Sequence, residues 1–144
     1  MASTYSTDLS LELVATGEKA GLWGTITNTN LQILQTASSG FTSLTLSTGN
    51  TTLSLADGSA SANGKNFYIK LTGTLAGNCT VTMPASTTGG TANRVFIIED
   101  ATTRTTSNYT IGVLTTGQAS ATAVPVGSTL LLVSDGANTL TSIG

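Results

Sequence analysis

From Phe41 to the C-terminus, apolar side chains recur at every second position, and turn-forming residues interrupt them every eight to twelve positions. A period of two places alternate side chains on opposite faces of an extended strand. The predicted strands are 41–47 with Leu44 and Leu46 inward, 51–55 with Leu53 and Leu55 inward, and 66–72 with Phe67, Ile69 and Leu71 on one face. They continue with 79–83 (Val81 and Met83 inward), 94–99, 108–114 (Tyr109, Ile111 and Val113 inward), 120–124, 128–133 and 138–143. Thr48-Gly49-Asn50 joins the first two, and the last two are joined by Ser134-Asp135-Gly136-Ala137, a loop containing the Asp-Gly pair favoured in hairpins. Pro84 and Pro125 fall at strand ends, where a missing N–H does least harm. The run Ser86 to Thr91 reads as an exposed loop. No internal repeat of solenoid length is evident. Short strands at this spacing predict an all-β fold, an antiparallel β-sandwich or jelly roll.

Two strands break the alternation. Val95 to Ile98 and Leu130 to Val133 are apolar on both faces. Such a strand needs cover on both sides, from the middle of a sandwich or from a neighbouring subunit.

The first forty residues differ in character. Leu9 to Val14 alternates like a short strand or an extended arm, and Gly17, Gly21 and Gly24 then interrupt regularity around Leu22 and Trp23. Thr27 or Asn28 is a suitable N-cap for a short helix through Leu31, Ile33 and Leu34 to about Ala37, which Gly40 would end. The organisation expected is an N-terminal arm with one short helix over residues 1–40 and a β-sandwich over 41–144. Trp23 has two readings: an aromatic plug against the sheet, or an anchor in a partner's pocket, where Trp is enriched.

Charge is scarce. Only 8% of the 144 residues are Asp, Glu, Lys or Arg, against about 25% in a typical globular domain. Five Lys and Arg, spread over the chain with a net charge of −2, make no basic patch, so no nucleic-acid partner is expected. The N-terminus has no basic start followed by an apolar stretch, so no signal peptide is read. The apolar run at Leu130 to Val133 is too short for a membrane span, so no membrane partner is expected. The protein is expected to stay in a cytoplasm until it is assembled into something or released.

Catalytic chemistry is poorly supplied. The chain has no histidine and a single cysteine, which removes Ser-His and Cys-His pairs, zinc clusters and any intrachain disulfide. Cys79 lies in an alternating strand and reads as a packed side chain. Paired carboxylates are the remaining option, but Glu99 and Asp100 are adjacent and would face opposite sides of a strand. Asp57 and Asp135 each precede a glycine, as turn residues do. Those acids with Asp100 are the candidates for a calcium loop, although none follows the EF-hand pattern. Asn50, Asn78 and Asn108 match the glycosylation triplet, a frequent accident in a chain this rich in Asn and Thr. Neither a catalytic residue nor a metal or cofactor is expected.

One segment carries a resemblance. Residues 9–34 combine Leu11-Glu12-Leu13, Thr16-Gly17-Glu18, Trp23-Gly24 and Thr27-Asn28-Thr29-Asn30-Leu31. This resembles a segment near the N-termini of structural proteins of marine tailed phages, decoration and tail-fibre-like proteins of cyanophages among them. Lys19 and Leu22 stand where that family has small polar residues. Weaker similarity to β-domains that follow this segment runs through Gly64 to Gly73, Thr80 to Ala85, Val124 to Gly127 and Ser134 to Asn138. The resemblance implies a virion structural protein on the particle surface. The single-domain length favours a capsid decoration or cement protein, expected as a homotrimer contacting the major capsid protein or another virion protein. The alternative is a short tail- or head-fibre component for host attachment. The residues expected to bind the partner are Leu11, Leu13, Leu22, Trp23 and Leu31.

Overall fold

The structure, a computed structural model, describes residues 2–87, 90–91 and 93–143. Of 86–87, 90–91 and 139–143 it describes the backbone alone. The chain opens with β1 (Thr4–Tyr5) and β2 (Glu12–Leu13), an antiparallel pair, followed by helix α1 (Trp23–Ser39).

The β region then winds rather than folding back. β3 (Phe41–Thr45) and β4 (Gly49–Thr52) lie on opposite walls, because the chain bends through Leu46-Ser47-Thr48 between them. A 3-10 turn (Asn63–Lys65) leads into β5 (Tyr68–Thr72), β6 (Thr74–Leu75) and β7 (Cys79–Met83). β8 (Ser86–Thr87) and β9 (Gly90–Thr91) pair antiparallel as a small excursion, where a loop was expected. β10 (Asn93–Asp100), β11 (Thr103–Arg104) and β12 (Ile111–Thr115) make the next circuit. β5 lies parallel between β3 and β10, β7 lies parallel between β4 and β12, and β6 lies parallel to β11. These are three stacked coils of roughly thirty residues each, a size usual in solenoids.

Three final strands close the stack. β13 (Thr122–Val124) pairs antiparallel with β12, β14 (Thr129–Asp135) antiparallel with β10, and β15 (Thr139–Ile143) antiparallel with β14. One wall therefore has the order β15-β14-β10-β5-β3 and the other β13-β12-β7-β4.

The all-β class with one helix holds, and each expected strand has a counterpart close to its expected position. The antiparallel sandwich or jelly roll does not hold as such, because both walls are mixed and their central strands are parallel. The spacing of turns measures the distance to the next strand in sequence; it does not say which strand lies alongside. Here the neighbour is a full coil away. Of the expected link Thr48-Gly49-Asn50 only Thr48 lies at the corner between walls, since Gly49 and Asn50 already belong to β4, whereas the hairpin at Asp135-Gly136 forms, with β14 ending at Asp135.

Side chains pointing between the walls make the core. Leu46, Leu53, Leu55, Ile69, Leu71, Leu75, Val81, Met83, Phe96, Ile98, Ile111, Val113 and Leu132 are all buried, with Leu44, Tyr109 and Leu130 packed against them. Cys79 is a member of this cluster, as its alternating run implied. Each such aliphatic or aromatic side chain contributes about 1.5–3 kcal/mol when fully buried. Threonine serves between coils: Thr74 and Thr103 hydroxyls meet at 2.8 Å, and Thr45 and Thr72 at 3.4 Å. Gly73 turns the chain between β5 and β6 with φ +99°, and a Cβ there would lie 2.4 Å from the Leu46 carbonyl oxygen.

The helix is longer than expected. It starts at Trp23, not at Thr27 or Asn28, and no side chain caps its N-terminus. Gly24 does not interrupt it, since one glycine costs a helix only about 1 kcal/mol. Gly40 does end it, in an extended conformation with φ −68°. Glycine is required there by space: a Cβ would sit 2.4 Å from the Thr36 carbonyl oxygen and 2.7 Å from Asn66 Oδ1.

Candidate functional site

The segment expected to act as an arm is fastened to the rest of the protein. Asn30 on the helix accepts from the Glu12 N–H at 3.0 Å and donates to the Glu12 carbonyl at 2.9 Å, a two-point clamp between α1 and β2. Lys19 lies 3.5 Å from Glu12. Ser10 is fully buried with φ +53°; its carbonyl accepts from Gly58 N–H at 2.8 Å and its hydroxyl donates to the Leu55 carbonyl. The Asp8 carboxylate accepts from the Asn93 N–H at 2.9 Å.

With the segment held, the helix divides into two faces. Ile33 is fully buried, and Ile26, Asn30 and Ala37 are half-buried on the same side. Trp23, Thr27, Leu31 and Leu34 follow a spacing of four, four and three, which aligns them in an exposed stripe flanking the buried side, about a quarter turn round the helix. Trp23 is 56% exposed, Leu31 57% and Leu34 44%. Leu22, just before the helix, is half exposed. Trp23 is therefore not a plug against the sheet. No residue from Trp23 to Ser39 carries a charge. The helix has no acidic side chain in its first turn and no basic one in its last, so its dipole is unassisted and packing must hold it.

Of the five residues expected to contact a partner, Trp23 and Leu31 share this stripe and Leu22 adjoins Trp23 in sequence. Leu13 is exposed on β2, and Leu11 is half-buried beside the Ser6–Leu11 backbone contact. Leu34 belongs to the stripe but was read only as a helix former; the three-residue step from Leu31 was the available signal. Phe41 and Val126 are further exposed apolar residues that strand patterning did not single out, and Val95 is exposed on one of the two strands it read as apolar on both faces.

The titratable groups are engaged in holding the fold. Glu99 and Asp100 do face opposite ways. Glu99 faces outward, accepts from the Tyr68 hydroxyl and lies 3.4 Å from Lys70. Those two partners hold its carboxyl below the usual range against the opposing effect of burial. Asp100 is buried and pairs with Arg104 at 2.8 Å. It also accepts from Thr102 N–H and hydroxyl and from Gly127 N–H. Burial pushes the Asp100 carboxyl up, but these donors outweigh it and leave it below its ordinary value. Asp135 accepts from Ala137 and Asn138 N–H groups, a turn role. Burial raises the Cys79 thiol. Among the described residues no three or more His, Cys, Asp or Glu gather as metal ligands. The Asn50 and Asn78 amides accept from the Thr82 hydroxyl and the Thr110 N–H. No helix of the described residues is long and apolar enough to cross a membrane. The helix stripe is thus the feature best suited to function, and its chemistry is apolar contact. No family model, no curated protein and no solved structure matches this chain.

Proposed function

We propose that this chain is a non-catalytic structural protein of a tailed-phage virion, and specifically a capsid decoration or cement protein. The observation that supports this reading is the uncharged stripe of Trp23, Leu31 and Leu34, which falls within the segment resembling phage structural proteins. An exposed apolar stripe is costly to leave in water and gains about 1.5–3 kcal/mol per large side chain when a partner covers it. The partner is the major capsid protein or another virion protein. The fastened N-terminal segment presents the stripe on a fixed base instead of as a trailing arm, which lowers the ordering cost of attachment.

The test uses heads that lack this protein. Wild-type chain should fill its sites on them, and a Trp23→Ser/Leu31→Ser chain should bind about a thousandfold more weakly, given hot-spot contributions of about 2 kcal/mol from each of the two residues. Circular dichroism checks that the variant folds. Equal occupancy by the two chains would overturn the attachment role. Binding of wild type to host cells but not to heads would replace it with the short-fibre reading.

A further inference from the structure

The outer face of the five-stranded wall carries a second apolar surface, separate from the helix stripe. Register places Phe41 on β3 beside Tyr68 on β5, Tyr68 beside Ile97 on β10, and Ile97 beside Leu131 on β14. All four point away from the core, forming one row across four adjacent strands. Phe41 is 60% exposed and stacks on Tyr68 with ring centroids 5.5 Å apart. Val95 and Val133, paired in the next outward row, extend the surface, and Val95 is 47% exposed. These are the outer faces of the two strands whose sequences are apolar on both sides. Their inner faces are covered by this chain's own core.

The row has a direction. Its aromatic half lies on β3 and β5 and its aliphatic half on β10 and β14. In the row alongside, Lys70 on β5 sits beside Glu99 on β10, 3.4 Å apart. We propose that a second copy of this chain covers this face, related by a two-fold axis parallel to the strands and midway between β5 and β10. That axis lays β5 of one copy over β10 of the other at the same height along the strands. Tyr68 then meets Ile97 of the second copy and Phe41 meets its Leu131. Lys70 lies over Glu99 of the second copy, and Glu99 over its Lys70. Every charged side chain in the two rows meets its opposite, so the face complements itself, as an isologous interface must. Two sheet faces packing in this way have the spacing of a β-sandwich, about 10 Å. The pairing is two-fold, in place of the expected trimer, and it does not rest on the virion reading.

Sedimentation equilibrium on the full chain tests it. Wild type should have the mass of two chains at micromolar concentration. Ile97→Arg should weaken association about a hundredfold or more. Lys70→Glu and Glu99→Lys each set like charges against each other across the axis and should each be monomeric at the same concentration. Mixed one to one, these two variants should form a dimer, because each copy now supplies the charge the other lacks. Circular dichroism verifies that each variant is folded. Three results would overturn the proposal: a wild-type monomer at about 100 μM, a wild-type trimer, or two folded charge variants that stay monomeric when mixed. The mixture decides the question even if Ile97→Arg does not fold.

Discussion

Lys65 has no exposed surface, yet its ammonium must be accommodated. Its Nζ donates to the Ala56 carbonyl at 2.7 Å and the Ser59 carbonyl at 3.0 Å, tying the loop before the 3-10 turn to its end. Burial lowers its pKa from 10.5 to about 8, with Asp57 opposing and Arg94 reinforcing that shift. A neutral amine still has two N–H groups for the two carbonyls. In the unfolded chain the lysine keeps its proton to about pH 10.4. Between these values the unfolded state holds more protons, so stability rises as pH rises from about 8 toward 10. Melting temperature measured from pH 7 to 9.5 should climb for wild type relative to Lys65→Met, whose curve lacks this contribution. The variant should be less stable overall, by about 1–3 kcal/mol, since it loses both Lys65 hydrogen bonds, although the Ala56 carbonyl keeps the Ser59 N–H. Parallel curves would refute the role given to the proton. At this scale the sequence was partly legible. Cys79 as packing and the opposed Glu99 and Asp100 followed from strand alternation, and Asp135 as a turn former from the glycine after it. Lys65 did not, because burial of a lysine depends on carbonyls brought together from elsewhere in a loop.

Elements are joined at corners, and the corner after β10 is densely bonded. Asp100 ends that strand, pairs with Arg104 on β11, and accepts from Gly127 N–H in the turn before β14. Arg104 also donates to the Tyr109 carbonyl, so one buried ion pair links the third coil to the closing strands. Removing one member of such a pair leaves the other uncompensated, at a cost of about 3–5 kcal/mol. Asp100→Ala should lower the stability measured by urea unfolding by that amount, while Asp8→Ala, which loses a single surface contact to Asn93, should cost less than about 1 kcal/mol. A smaller loss for Asp100→Ala than for Asp8→Ala would contradict the corner's importance. The strands themselves were legible from alternation, because alternation reports which face a side chain takes. Their partners were not, because pairing in parallel coils joins residues a whole turn of the solenoid apart. The helix start was misplaced for a local reason: a favourable cap residue at Thr27 counts for less than the packing of Ile26 and Ile33 on one side of α1.

At the scale of the molecule, the closing strands cover what would otherwise be the bare edge of the third coil. β14 lies along β10 for most of its length, and Leu132 fills the core beside it. A chain ending at Gly127 would expose β10 as an edge strand with an apolar outer face, a template for pairing with other chains. We expect that truncated chain to elute as aggregates in size-exclusion chromatography; a soluble, folded product would show that the coils suffice without β14 and β15. The candidate surface was half legible at this scale. Trp23 and its neighbours were visible as apolar residues without a strand or core to join. The row Phe41–Tyr68–Ile97–Leu131 was not, since its members come from four separate strands and only the register aligns them.

The reversal of direction after the third coil also determines how the molecule can grow. Among the described residues, β3 and β4 are edge strands at one end of the stack. At the other end the walls finish on β15, which runs with β10, and on β13, which runs against β12. A first coil laid on that end could continue the parallel ladder in one wall only. Head-to-tail addition therefore cannot reproduce the internal stacking, and the solenoid carries its own stop. It is a block of fixed height, whose remaining routes to assembly run sideways, through its faces.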